Sequence, residues 1–481
     1  MTGQKYVDEA AERYTRERIR HWDSLAKDLG QWKRMSGVYH ARLSEVVRFI
    51  APEGSNILEI GCGRGDLLAS LNPSRGVGVD FSGETVKIAK ERHPNLTFIQ
   101  ADALDLALDE DFDYIILSDI LNDLWDVQRA LQNVRKLCSP HTRVVINLYS
   151  KLWEAPLSLT KKMGLSTPLL SQNWLTVEDV KNLLELTDFE EIRHFSEVLF
   201  PFSIPGVERL FNRYLVKLWP FKHMALTNFI VARSMGSGAA PTQRTVSVVV
   251  PVRNEAGNIA SIFSRTPEMG GGTELIFVEG HSTDDSYAVI ESEMAKNSER
   301  KVKLLRQPGK GKGDAVRAGF AAATGDILMI LDADLTVPPE DLPRFYEVIA
   351  SGKGEFVNGV RLVYPMEEKA MRFLNLLGNK FFSLAFSWLL GQQIKDTLCG
   401  TKVLSKTNYE TIAKNRSYFG DFDPFGDYDL IFGAAKANLK IVDLPTRYRA
   451  RSYGETNIHR WSHGALLFRM VAFALRRIKF V

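Results

Sequence analysis

At 481 residues, with 45% hydrophobic and 25% charged side chains, the chain has the length for two or three domains that each bury a core. A formal net charge of +3 lacks the strongly basic balance of a dedicated nucleic-acid binder, so no nucleic-acid partner is expected. Three cysteines, Cys62, Cys138 and Cys399, stand far apart without metal-ligand spacing, which gives no disulfide framework and suits a reducing compartment.

The first residues, MTGQKYVDEAAERYTRERIRHWDSL, are charged and helix-like and lack the apolar core of a signal peptide. No apolar run reaches the roughly 18–20 residues needed to span a bilayer. A cytoplasmic protein is expected, with any membrane contact peripheral. NILEIGCGRGDLL, GVGVDFS, LTFIQADAL, DYIILSDIL and RVVINLYS then read as short buried strands separated by helical stretches. Such alternation predicts an α/β unit with a parallel sheet covered by helices.

The segment ILEIGCGRGDL is a buried strand running into a tight turn that opens a helix. Gly61, Gly63 and Gly65 let the backbone approach a ligand closely, where a β-carbon would collide with it. A second strand ends in Asp80, placed to accept hydrogen bonds from a ribose diol, and a third ends at Asp102. Asn122, Asp123 and Asp126 follow the fourth strand and read as a polar loop or a helix cap. The aromatic stretch VLFPFSIPGVERLFNRYLVKLWPFKHM, before the strand LTNFIVARS, reads as a cover over an acceptor or as a packed helical insert.

The turn is E-x-G-C-G-x-G, where a nicotinamide-binding fold would have G-x-G-x-x-G. Over residues 40–235 the chain resembles the class I methyltransferases that use S-adenosylmethionine (SAM). The resemblance implies a Rossmann-like sheet with SAM as cofactor. Glu59, Gly61 and Gly63 would line its methionine and ribose part, and Asp80 would hold the ribose hydroxyls. Asp102 and Ala103 would meet the adenine, with Ser118 and Asp119 facing the methionine end. Methyl transfer needs mainly alignment of nucleophile and methyl group, so no base is named.

The composition breaks at ARSMGSGAAPTQR, which divides the chain into a methyltransferase unit over 1–235, a linker over 236–244 and a second unit over 245–481. In the second unit TVSVVVPVRNE, TELIFVEGHSTDD, KVKLLRQPG and DILMILDADL repeat the strand-then-loop rhythm of an α/β fold. The last of these emerges into Asp332-Ala333-Asp334. Two carboxylates at i and i+2 on a strand end can share a hard divalent cation, which in turn neutralises a diphosphate leaving group.

Together with VVVPVRNEAGNI, VEGHSTDDS and GKGKGDAVRAGFAAATGD, the aspartate pair resembles the family 2 glycosyltransferases of GT-A fold, over residues 245–463. By that resemblance Pro251, Glu255 and the loop from Glu279 to Asp284 lie near a nucleotide-diphospho-sugar such as a UDP- or GDP-hexose. Asp332 and Asp334 would hold Mg²⁺ or Mn²⁺, with Asp332 also beside the donor, and Lys312 would offset phosphate charge. One string departs: Glu279-Gly280-His281-Ser282-Thr283-Asp284 stands where the family has D-D-G-S-T-D, a change that bears on selection of the nucleotide base. Asp396, Cys399, Gly400 and Lys402 in IKDTLCGTKVLSK, with Asp427 and Asp429 in FGDYDL, match acceptor-side motifs, and Asp427 sits where many inverting members keep the general base.

RYRARSYGETN carries Arg447, Arg449 and Arg451 ahead of Gly454-Glu455-Thr456-Asn457 and is similar to the R-x-x-G-E-S-K string of dolichyl- and polyprenyl-phosphate hexose synthases. Thr456 and Asn457 depart from it. Guanidinium groups suit bidentate phosphate recognition, and Arg451 is the residue chosen for it. MRFLNLLGNKFFSLAFSWLLG and HGALLFRMVAFALRRIKFV mix apolar and basic residues as interfacial amphipathic helices do.

The expectation is a bifunctional enzyme on the inner face of the cytoplasmic membrane. It would transfer methyl from SAM and, with inversion and a metal, a hexose to a polyprenyl phosphate in surface glycan or glycolipid assembly. One alternative is a glycan, glycolipid or small-molecule hydroxyl as acceptor, with Asp427 as base. Another is a methyltransferase-like half that only binds SAM or recruits the glycan.

Overall fold

The computed structural model describes residues 2–26, 29–163, 170–235, 243–361, 373–418, 428–446, 449, 453 and 460–481. The chain separates into two compact units, Met1–Met235 with Phe480–Val481, and Gly236–Lys479.

In the first unit, helices Thr2–Leu25 and Leu29–Ile50 precede a sheet of seven strands: β1 (Asn56–Ile60), β2 (Arg75–Asp80), β3 (Thr97–Gln100), β4 (Tyr114–Ser118), β5 (Arg143–Tyr149), β6 (Phe189–Glu197) and β7 (Thr227–Ser234). Their order is β3-β2-β1-β4-β5-β7-β6. Side chains alternate along each strand, so one sheet serves two cores. Ile115 and Leu117 of β4 pack with Leu58, Ile60 and Val144 on one face. Tyr114 and Ile116 pack with Ile57 and Val145 on the other. Burial on both faces is why these strands read as continuous apolar runs.

The parallel sheet expected from the sequence is a mixed one. β7 runs antiparallel to both β5 and β6. Apolar runs reveal strands but carry no direction, and an antiparallel neighbour needs no crossover helix.

The second unit holds β8 (Val246–Val252), β9 (Thr273–Glu279), β10 (Lys301–Arg306), β11 (Ile327–Ile330), β12 (Phe356–Val360), β13 (Lys402–Ser405) and β14 (Ile441–Pro445), ordered β10-β9-β8-β11-β13-β12-β14. This sheet is mixed as well, because β13 is antiparallel to β11 and β12. Helix Lys312–Ala322 lies close on β8: a β-carbon at Gly319 would overlap Val249. Helices Phe373–Leu390 and Arg460–Ala474 meet through Phe382 and Phe468, with ring centroids 5.1 Å apart. Among the described residues no helix is long and apolar enough to cross a membrane.

In both sheets the chain reverses its direction of progress beside the first strand, between β1 and β4 and between β8 and β11. Open α/β sheets take ligands at the carboxyl ends of strands flanking such a point.

Candidate functional site

In the first unit the glycine turn joins β1 to helix Asp66–Ser70 and is tied to the end of β2 by Gly61 N and Cys62 N, which donate to Val79 O at 2.8 and 3.0 Å. Gly61 has φ 75°, and a β-carbon there would meet Ile120 Cδ1 at 2.8 Å. Gly63 has φ 50°, and an added β-carbon would face open space, which is the room a ligand needs beside the turn. Gly63 N and Ser82 N donate to the two oxygens of Asp80, both at 2.9 Å. Burial pushes the Asp80 carboxyl up to about 6 against those two hydrogen bonds. Glu59, buried in β1, accepts from Leu68 N at 3.0 Å, and burial raises it to about 8.

Ser118 is half-buried at the end of β4, and Asp119 follows it with φ 57°. Asp119 accepts from Asn147 Nδ2 at 2.7 Å and from the Tyr39 hydroxyl, and burial raises its carboxyl to about 7 against these two donors. Asp102 accepts from Leu104 N at 2.9 Å, capping the short turn of the buried Ala103. Asp126 caps helix Val127–Lys136 by accepting from Arg129 N at 2.9 Å, as a cap reading expects. Asp123 takes the indole of Trp22 at 3.3 Å and lies 3.6 Å from the Arg18 guanidinium. Asn122 is buried, and neither of its side-chain polar atoms has a partner among the described residues. A bound ligand would answer that demand.

In the second unit β8, β9 and β11 run parallel, so their carboxyl ends share one edge. Half-buried Pro251 lies near the end of β8, with buried Glu255 in the turn beyond, accepting from Asn258 Nδ2 at 2.7 Å. Asp284 joins two turns: one oxygen accepts from Ala256 N at 3.2 Å, the other from Ser286 N and Oγ at 3.0 and 2.6 Å. Glu279 accepts from Ser282 N at 2.5 Å and so holds the loop in which the family string departs.

Lys312, the first residue of its helix, reaches Asp332 with Nζ 2.6 Å from Oδ1. A β-carbon at Gly400 would overlap both the Asp332 carboxylate and Lys312 Nζ, so only glycine admits this approach. Burial opposes ionisation of Asp332, yet Lys312, Lys402 and Arg361 hold its carboxyl below the ordinary range. Asp334 Oδ1 accepts from Thr336 N at 3.1 Å and Thr336 Oγ1 at 2.8 Å. Arg449 N donates in turn to Thr336 O at 3.0 Å, which ties Arg449 to the aspartate turn. Asp396 is fully buried and accepts from Arg361 Nε and Nη2 at 2.7 and 2.9 Å. Asp427 and Arg451 lie outside the described residues.

The donor set at Asp332 and Asp334 is hard oxygen, which fits Mg²⁺ or Mn²⁺ completed by phosphate and water. The open room at Gly63 and the backbone-anchored Asp80 fit the ribose and methionine of SAM. Tyr39, Asn147 and Asp23, whose Oδ1 lies 2.5 Å from Ser82 Oγ, carried no motif. Their role depends on contacts between segments far apart in sequence.

Residues 52–189 match the model described as methyltransferase domain, and residues 247–412 match that of glycosyl transferase family 2. The chain joins a SAM-dependent methyltransferase domain to a family 2 glycosyltransferase domain. The glycosyltransferase domain is similar to the glycosyltransferase AglJ of Haloferax volcanii, 28% identical over 230 residues that span 47% of this chain and 71% of that protein. It is 30% identical over 219 residues to the dolichol-phosphate mannosyltransferase of Pyrococcus furiosus, covering 44% of this chain and 59% of that one, less than two thirds of its length. Among solved structures, glucosyl-3-phosphoglycerate synthase of Mycobacterium tuberculosis, bound to Mn²⁺, UDP and glucosyl-3-phosphoglycerate, aligns at 23% identity and TM-score 0.38 over 50% of this chain and 82% of that one.

Proposed function

We propose that the chain is bifunctional: it transfers methyl from SAM, and with a divalent cation it transfers a hexose, with inversion, from a nucleotide-diphospho-sugar to a polyprenyl phosphate. The observation that carries the second half is the tie from Arg449 N through Thr336 to Asp334. It supports bringing Arg449 beside the turn that would bind the donor diphosphate. Guanidinium groups recognise phosphate by paired hydrogen bonds, and a polyprenyl phosphate is already ionised at neutral pH, so it needs little help from a base. The similarity to a dolichol-phosphate mannosyltransferase supports the same acceptor class.

Asp332 and Asp334 would hold Mg²⁺ or Mn²⁺, which supplies charge neutralisation for the departing nucleoside diphosphate. Lys312 would exchange its bond to Asp332 for a donor phosphate oxygen. Glu255 and Asp284 fix the turns after β8 and β9 against which the nucleotide would lie. In the methyltransferase unit Asp80 would accept the ribose hydroxyls, while the Gly63 backbone leaves room for the cofactor.

A membrane location is supported by the outward faces of Phe373–Leu390 and Arg460–Ala474, where Phe381, Leu384 and Phe468 are exposed and Lys479 Nζ lies 5.0 Å from the Trp388 ring centroid. The deciding experiment supplies labelled UDP- and GDP-hexoses, Mg²⁺ or Mn²⁺, and undecaprenyl or dolichyl phosphate. Labelled lipid that requires the metal and is lost in Asp332→Ala is expected. Donor turnover to free nucleotide without labelled lipid would refute the acceptor. Release of S-adenosylhomocysteine tests the methyltransferase half separately.

A further inference from the structure

The methyltransferase unit exposes an apolar surface of its own, built from two segments at one sheet edge. Helix Glu154–Lys162 follows β5, and residues 198–226 connect β6 to β7. Tyr149, the last residue of β5, pairs with Thr227, the first of β7. Because β5 is parallel to β4, and β4 to β1, both segments leave the sheet on the edge that carries the glycine turn, Asp80 and Asp119. They touch: Trp153 Nε1 donates to Met224 O at 2.9 Å, and Ser150 N to Leu226 O at 2.8 Å.

The helix is apolar on two sides. Trp153 and Leu157 turn inward onto the core. On the other side Leu152, Leu159 and Met163 recur at helical spacing and are 66%, 59% and 61% exposed. The 198–226 segment adds Trp219, 78% exposed, with Phe221 and Met224 beside it. Exposed apolar residues scattered singly need no explanation, but two touching segments that both expose large ones at the carboxyl edge of the sheet do. Its ionised neighbours are mostly cations: exposed Lys151, Lys161, Lys162, Arg209 and Lys222 against Glu154 and Glu208. Tryptophan, long aliphatic chains and a basic surround are what the boundary of an anionic bilayer accommodates, rings at headgroup depth and cations over the phosphates.

We infer that this surface seats the methyltransferase unit on an anionic membrane, and that its methyl acceptor is the polar head of a bilayer-anchored lipid. The inference rests on the SAM-dependent domain and not on the polyprenyl-phosphate acceptor proposed for the other unit. In transfer, a heteroatom of the lipid head bonds to the methyl carbon as the carbon–sulfur bond of SAM breaks; S-adenosylhomocysteine leaves and a hydroxyl acceptor gives its proton to solvent. Seating on the bilayer would bring that head to the sheet edge without extracting its tail.

The test floats the full chain with phosphatidylcholine vesicles made with and without phosphatidylglycerol. Wild type is compared with Leu159→Ser/Trp219→Ser, and separately with Phe381→Ser/Leu384→Ser in the glycosyltransferase unit. The inference expects the first pair to lower partition to the anionic vesicles by about tenfold or more, with SAM affinity unchanged as proof of folding. It also expects methyl transfer from labelled SAM into a total lipid extract to fall in the same variant. Unchanged partition in Leu159→Ser/Trp219→Ser would overturn it, as would a dimer of wild type that this variant dissociates, since a second copy would then cover the patch. Loss of partition only in Phe381→Ser/Leu384→Ser would leave the membrane reading to the glycosyltransferase unit and refute this one. Failure of hexose transfer to polyprenyl phosphate leaves the inference standing.

Discussion

The hydroxyl of Tyr39 donates to Asp119 from 80 residues earlier in the chain, lying 2.8 Å from one carboxylate oxygen and 3.0 Å from the other. Tyr39 is itself stacked on Tyr149 with ring centroids 5.6 Å apart, so the end of β4 is locked by the second N-terminal helix and the end of β5. Even with two donors, burial leaves the Asp119 carboxyl at about 7. A folded-state value above the unfolded 3.8 favours the protonated form, so its stability contribution is full below pH ~4 and is lost as pH rises through about 7. Asn is neutral, tolerates the positive φ and can still accept from Tyr39 and Asn147. Asp119→Asn is therefore expected to raise the melting temperature of the methyltransferase unit at pH 8 by about 3 °C per kcal/mol of relief. The gain should vanish near pH 4, which calorimetry at the two pH values checks.

Burial pushes the Asp80 carboxyl up to about 6, and only its carboxylate form presents both oxygens as acceptors to the two ribose hydroxyls. SAM affinity should be flat above pH 7 and weaken as pH falls below about 6. Asp80→Asn is expected to weaken binding by on the order of tenfold or more at pH 7.5 and to flatten that profile. Titration calorimetry across the pH range reads both effects, and a variant retaining the wild-type pH profile would count against Asp80 as the ribose ligand.

Gly400 faces Asp332 so closely that Ala would displace the carboxylate or Lys312. A displacement near 1 Å at a reacting centre costs on the order of a hundredfold in rate. Gly400→Ala is expected to lose that much sugar transfer while the far-UV circular dichroism and thermal transition stay close to wild type. Unaltered transfer would mean that Asp332 is not held at the donor.

Lys312→Met removes the principal charge partner of Asp332. Nucleoside-diphosphate affinity, measured by equilibrium binding with Mn²⁺, is expected to fall by about tenfold or more, since a charge-assisted phosphate contact is lost. Lys312→Arg should recover part of it. If Lys312 served only as a solvated loop residue, both variants would bind as wild type does.

Much of both folds was legible because strands buried on two faces leave apolar runs bounded by glycine and aspartate, as NILEIGCGRGD and ILMILDAD do. The aspartate pair and the glycine turn were legible for the same reason: their chemistry depends on residues adjacent in sequence. Strand direction was not: β7 turned the parallel sheet expected of the first unit into a mixed one, and β13 makes the second sheet mixed as well. Asp123 illustrates the limit at the level of a side chain. Its sequence context reads as a loop, whereas its partners, Trp22 and Arg18, come from the first helix about a hundred residues earlier.

The sequence by itself determined the two α/β units, the turn that would receive SAM and the carboxylates that would receive a metal, because periodicity and short motifs are local. Tertiary structure alone decided that Tyr39 and Asn147 lock Asp119, that Lys312 and Gly400 converge on Asp332, and that Trp153 meets Met224 between two segments with exposed apolar side chains. Those relationships depend on burial and on the meeting of distant segments, which local sequence patterns do not encode.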